Sequence, residues 1–166
     1  RGVEIYSIEP EATAPVLTWG MALATYPFFG KVAEIVGRIT ALQGDCSSAE
    51  VHRRMAELYG EREGTRRMTN MVLQSQASWG AIERNDKGKR IVRMKATDLN
   101  GSAVAAWLAE ACLRNSGRAL SIASIVSSPT IYPFMLGDTA AYALSLSRAL
   151  EMRVDGAGNQ VVGIAG

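Results

Sequence analysis

Arg66, Arg67, Asn70 and Gln74 are set one to four residues apart within a helix-forming stretch, and all four fall off its apolar positions. Guanidinium forks suit phosphate oxygens or a guanine edge, and side-chain amides suit the paired donor and acceptor of adenine. Arg66 and Arg67, near the expected helix start, are assigned to phosphates or a guanine edge, with Asn70 and Gln74 as readers of bases. Arg62 precedes them, and Lys87, Lys89 and Arg90 form a second basic group placed to touch adjacent backbone or minor groove.

Other chemistry is thinly supplied. His52 is the single histidine, and the acids form no evident pair for proton transfer. Cys46 and His52, with Asp45 nearby, lack the paired spacing of zinc sites. Cys46 is expected to be a half-buried loop residue, and His52 a surface or groove-edge side chain within reach of a phosphate. Gly156-Ala157-Gly158 sits between two short strand patterns and reads as a turn, not a phosphate loop. The chain is therefore read as a non-enzyme, with no catalytic residue, metal or cofactor assigned.

The elements that would position the basic residues are legible from periodicity. Met68, Met71, Val72, Ser75 and Trp79 follow helical spacing and predict the buried stripe of a helix over Thr65–Trp79, stopped by Gly80. A preceding helix, Ser47–Tyr59, opens on the Ser47 and Glu50 capping-box pattern and offers Val51, Met55 and Leu58 as its apolar face. Upstream, Phe28, Val32, Ile35, Val36, Ile39 and Leu42 give a third helix, with Pro27 in its first turn and Gly44 at its exit. After Gly80, alternating residues about Asn85-Asp86-Lys87-Gly88 predict a hairpin over Ala81–Lys95. Val92 and Met94 are taken as its inward face, and the basic residues as its solvated one.

Charge is concentrated on this stretch. Residues 53–95 hold 11 Lys or Arg against five acids, a local +6, whereas the whole chain carries +2. A basic helix and hairpin are the electrostatic footprint of a phosphate-binding face.

The order of helices and hairpin, with the run Val72-Leu73 to Trp79-Gly80-Ala81-Ile82-Glu83-Arg84, resembles the winged helix-turn-helix superfamily over roughly residues 27–95. The resemblance implies a mostly helical α+β fold with additional C-terminal helices and a short β-hairpin. It implies binding of double-stranded DNA, as in a transcriptional regulator or a DNA-associated defence or maintenance component. Members of the superfamily also serve as protein-binding adaptors without DNA contact, which is the alternative reading.

Outside this span, residues 1–20 read as an N-terminal extension, 21–97 as the winged domain, and 98–166 as a helical and hairpin region. The last contains a helix Ser102–Leu113 capped by Ser102, with Val104, Trp107, Leu108 and Ala111 on one stripe. A short helix about Leu120–Val126 and a helix Ala140–Leu150 follow, then a hairpin of Glu151–Val154 with Gln160–Ile164. Helix then hairpin repeats the first unit's order, and Tyr26-Pro27-Phe28 recurs as Tyr132-Pro133-Phe134, so a degenerate second winged unit is considered. Ile131, Tyr132, Phe134, Met135 and Leu136 mark a surface for a second copy or a protein partner, weighed against plain core.

Hydrophobic residues at 48% and charged residues at 20% are ordinary globular values. No run reaches the roughly 18 apolar residues of a membrane span. Two cysteines fit a reducing, cytoplasmic setting. A start at Arg1 without a signal-like segment suggests a trimmed or excised piece.

Overall fold

The computed structural model describes residues 2–8, 10–99 and 101–166 and is mainly helical, with small sheets. Along the chain come α1 (Gly2–Ile8), α2 (Pro10–Thr25), α3 (Pro27–Gln43), β1 (Asp45–Ser47), α4 (Ser48–Tyr59), α5 (Glu63–Ser78), β2 (Ile82–Asn85) and β3 (Arg90–Arg93). They are followed by β4 (Thr97–Asp98), α6 (Ser102–Ser116), β5 (Leu120–Ser121), α7 (Ile122–Val126), a 3₁₀ turn (Pro129–Ile131), β6 (Phe134–Met135), α8 (Ala140–Ser145), β7 (Leu150–Val154) and β8 (Gln160–Ile164). Two compact units divide these elements. The central unit holds Phe28–Ala96 and Pro129–Pro133, and the flanking unit holds the residues up to Pro27, Thr97–Ser128 and Phe134–Gly166.

In the central unit, Val32 and Val36 of α3, Val51 and Met55 of α4, Leu73 of α5 and Ile91 of β3 are fully buried. Side chains of this size each contribute about 1.5–3 kcal/mol when removed from water. The sheet is antiparallel throughout, in the order β1-β3-β2. Its short first strand ends at Ser47, which faces Arg90 across the sheet and caps α4 through an Oγ that accepts from the Glu50 amide at 3.1 Å.

The helices stand where periodicity predicts, but the buried faces of α5 and of the hairpin do not. Met68 and Met71 are exposed, and α5 instead buries Thr69, Leu73 and Gln76. Polar residues can occupy a core when their hydrogen bonds are met: Thr69 donates to the Thr65 carbonyl at 2.8 Å, and Gln76 Oε1 accepts from Tyr132 at 2.8 Å. The hairpin is likewise inverted relative to expectation. Ile91 pairs with both Cys46 and Arg84, so the inward face carries Ile82, Arg84, Ile91 and Arg93, while Met94 is exposed. Leu42 and Leu58 also lie on the surface. Cys46 is a buried strand residue, not a half-buried loop one.

Residues 129–133 complete this unit from far along the chain. Arg93 Nη2 donates to the Tyr132 carbonyl at 2.8 Å, and its guanidinium lies 5.2 Å from the centre of the Tyr132 ring. Gly37 of α3 meets the same segment so closely that a Cβ there would fall 2.1 Å from the Pro129 carbonyl oxygen. The aromatic and aliphatic set taken as a partner surface is thereby accounted for as core, because Ile131, Tyr132, Phe134 and Leu136 are all buried and only Met135 is exposed.

The flanking unit gathers residues read from sequence as an extension. α2 packs on α6, with Trp107 Nε1 donating to the Leu17 carbonyl at 3.3 Å. A Cβ at Gly20 would lie 2.3 Å from that indole nitrogen, so only glycine permits the approach. Trp19 meets Phe134 edge to face at 5.9 Å between ring centres. β4 and β6 form a parallel pair, and a second antiparallel sheet has the order β5-β8-β7. Gly101, not Ser102, is the N-cap of α6; α8 stops at Ser145, and Leu150 begins β7. The expected C-terminal hairpin is present, in register from Leu150 with Ile164 to Val154 with Gln160. With the 3₁₀ turn and β6 inserted between α7 and α8, the run α6, β5, α7, α8, β7, β8 with strand order β5-β8-β7 follows the order of α3, β1, α4, α5, β2, β3. The repeat lies in element order only, since one Tyr-Pro-Phe opens α3 and the other joins the 3₁₀ turn to β6.

Among the described residues, Gln76 Nε2 is buried without a hydrogen-bond partner, and Tyr132 supplies the hydrogen bond that this amide has. Tyr132→Phe should destabilise the protein by about 1–3 kcal/mol in urea denaturation, the cost of stranding a buried polar group. Adding Gln76→Leu should restore most of it. A double variant no more stable than Tyr132→Phe alone would contradict this account.

Candidate nucleic-acid interface

Between α4, α5 and the β2–β3 hairpin lies an open cleft of about 860 Å³. Ser48, Ala49, His52 and Arg53 line it from α4. Arg62 opens α5 as its N-cap residue without a side-chain cap, and Arg66 and Asn70 follow along that helix. From the hairpin come Arg84, Lys87, Gly88 and Lys89, and three carboxylates, Glu57, Glu61 and Glu63, reach the same cleft.

The arginines of this unit fall into two groups. Arg53 is tied to Glu50 and Glu57, Arg54 to Glu50 at 2.8 Å, and Arg90 to Asp45 on the outer face of the sheet, with Nε at 2.7 Å. Hydrogen bonds from Arg53 and Arg54 hold the Glu50 carboxyl down at about 2. Among the described residues, no ion pair engages Arg62, Arg66, Arg67, Lys87 or Lys89. The second group thus leaves cations without ion-pair partners at the start of α5 and at the hairpin turn, beside Glu61, Glu63 and Asp86.

Arg84 joins the two elements. Its Nη2 donates to Asn70 Oδ1 at 2.9 Å and to the Gly88 carbonyl at 3.3 Å, bridging the helix and the turn. The turn itself is strained: Asp86 and Lys87 have φ of 49° and 54°, ahead of Gly88 at 83°. Two amides hold it, Gly88 to the Asn85 carbonyl and Lys89 to the Asp86 carbonyl, both at 3.0 Å. A side chain in this left-handed region costs about 1–2 kcal/mol, so the turn projects Lys87 at an energetic cost.

Of the residues proposed from sequence, Arg62, Arg66, Asn70, Lys87 and Lys89 converge on the cleft. Arg67 and Gln74 lie on the exposed crest of α5, opposite the buried Thr69, Leu73 and Gln76, by helical spacing. Arg67 also edges a smaller hollow with Phe28, Tyr59, Met68 and Met71. Arg90 is not at the cleft. Sequence reasoning missed Arg84, Arg53 and the α4 start as cleft elements. Arg84 shares strand alternation with Ile82, which was the available sign that it faces inward.

His52 lines the cleft with its Nδ1 buried and unpartnered. Burial first, then the charges of Arg66 and Arg84, hold its pKa below the ordinary 6.5. The folded state therefore binds this proton less readily than the unfolded chain does, and His52 erodes stability as pH falls through 6.5 and below. Above about pH 7.5 it is neutral in both states and contributes nothing to the slope. Between about pH 7.5 and 5, the urea midpoint of the wild type should fall more steeply than that of His52→Gln. Parallel curves over that range would contradict the assignment. Compared with family models, with curated proteins and with solved structures, the chain matches none of them.

Proposed function

We propose that the central unit is a winged helix-turn-helix module that binds double-stranded DNA, with α5 as recognition helix and the β2–β3 hairpin as wing. The observation that carries this reading is the set Arg62, Arg66, Arg67, Lys87 and Lys89, which among the described residues stands free of ion pairs on α5 and the hairpin turn while neighbouring arginines are paired. The order helix, strand, helix, helix, two-stranded hairpin, with β1 closing the sheet beside β3, supports the fold assignment.

In this reading Arg62, Arg66, Lys87 and Lys89 neutralise backbone phosphates on either side of a groove. The crest of α5 enters the major groove with Arg67, Asn70 and Gln74 toward base edges. Glu57 is engaged by Arg53, so it subtracts little from the field seen by a phosphate. Glu61 and Glu63 lie beside Arg62 at the start of α5 and set the limit of the positive face.

Fluorescence anisotropy of a random-sequence duplex, titrated from about 50 to 200 mM salt, tests the proposal. Micromolar or tighter binding at the low end is expected, with log affinity falling linearly against log salt. Arg66→Ala with Arg67→Ala should weaken binding and reduce the slope by about 0.9, the share of the Arg66 phosphate contact. Lys87→Gly separates binding from folding. It relaxes the left-handed turn and should stabilise by up to about 1 kcal/mol, yet reduce the salt slope by about 0.9. No binding at low salt, or an unchanged slope in a folded double variant, would favour a protein-binding adaptor.

A further inference from the structure

We propose that Arg84 determines which base edge Asn70 can read, so that α5 selects a keto base, guanine or thymine, over adenine or cytosine at one position of its site. This rests on the reading of α5 as a recognition helix and specifies the DNA that it would take.

A guanidinium has donors only. The Asn70 atom 2.9 Å from Arg84 Nη2 must therefore be the amide oxygen, which fixes the orientation of an exposed side chain that would otherwise flip freely. Arg84 is itself held. The same Nη2 donates to the Gly88 carbonyl, and a Cβ on Gly88 would come within 3.2 Å of it, so the guanidinium lies packed against the wing turn. Turning the amide over would set NH₂ against a charged donor, which disfavours the flipped form by about tenfold or more.

The consequence is a choice of base. Asn70 Oδ1 points back at the wing, and Nδ2, with two donors and no partner among the described residues, is the group left to face a ligand. Reading adenine requires an amide to accept from N6 and donate to N7 together, and a retracted oxygen cannot supply the first bond. Donors alone match both acceptors of guanine, N7 and O6, or thymine O4, whereas adenine offers N7 only beside an opposing amino group and cytosine offers its amino group alone. Gln74 on the crest has no such restraint and keeps the adenine pattern available.

Selection of bound sites from a randomised duplex pool, followed by affinity measurements on the full chain, tests this. At the position whose preference is lost in Asn70→Ala, the wild type should favour guanine or thymine by about tenfold. Asn70→Asp keeps an acceptor for Arg84 and presents a second acceptor in place of NH₂, so its preference should reverse to adenine or cytosine. Arg84→Met releases the amide, and adenine should then bind about as well as guanine. If Arg84→Met proves unfolded by its urea transition, Asn70→Asp alone decides. Adenine or cytosine preferred by the wild type, no reversal in Asn70→Asp, or no position sensitive to Asn70→Ala would overturn the inference and leave DNA binding intact. Failure of the wild type to bind duplex at low salt would overturn both.

Discussion

The pairing of Asp45–Ser47 with Arg90–Val92 is the constraint on which the central unit turns. Two strands alone make a marginal hairpin, and the third ties this one to the helices. Each of its three residues acts differently: the Asp45 carboxylate holds Arg90 on the outer face, Cys46 packs inward against Ile91, and Ser47 caps α4. The next amide, of Ser48, donates to the Lys89 carbonyl at 2.8 Å. The first turn of α4 is therefore bonded directly to the returning strand of the hairpin, and α5 packs on α4. The cleft is the space those attachments enclose. Burial, reinforced by Asp45 and Glu50, pushes the Cys46 thiol up to about 11, so it behaves as a small apolar side chain, not a nucleophile.

On that frame, neutralisation is selective. Exposed ion pairs are worth little to stability, but they decide which charges remain available to a ligand. The pairs on α4 and the outer sheet face consume Arg53, Arg54 and Arg90. The cations of the α5 start and the hairpin turn are left over, and the turn keeps Lys87 in a left-handed conformation that glycine would occupy more easily. A strained residue that carries an unpaired charge supports the contact proposed for Lys87.

Features set by local rules were legible in the sequence. The Ser47 cap, the glycine after Trp79, the Asn85–Gly88 turn and the C-terminal hairpin each depend on residues a few positions apart. Features set by distant partners were not. Gln76 looks like a surface residue until Tyr132, 56 positions later, is placed beside it, and Met68 and Met71 then lose their claim to the core. Strand β1 is three residues long and has no pattern of its own, since its partner begins about 45 positions on. The N-terminal residues read as an extension because Trp107, which receives them, lies 90 positions from Leu17. At the candidate site, the basic composition was legible, but the division into paired and free arginines was not. Arg90 sits among the hairpin bases in sequence, yet strand alternation turns it to the opposite face, where Asp45 meets it.

The flanking unit separates what the element order contributes from what the side chains contribute. Its helices and strands follow the order of the central unit, and Ser121 ends β5 and caps α7 through the Ser124 amide at 3.1 Å, as Ser47 ends β1 and caps α4. Its surface chemistry differs at each corresponding place. α8, in the position of α5, has no Lys or Arg and exposes Tyr142, with Leu146 exposed at its C-cap. The hairpin turn is closed by the Asp155 carboxylate, which accepts from the amides of Ala157 and Asn159, and Arg153 beside it is paired with Glu151. Those backbone bonds and Asn159 hold the Asp155 pKa down, so the turn that corresponds to Lys87 carries a negative charge. One order of elements thus presents a cationic helix and turn in one unit and an apolar helix with an anionic turn in the other. The DNA contact proposed for the central unit therefore rests on the residues of α5 and its hairpin, and not on an order of elements that both units share.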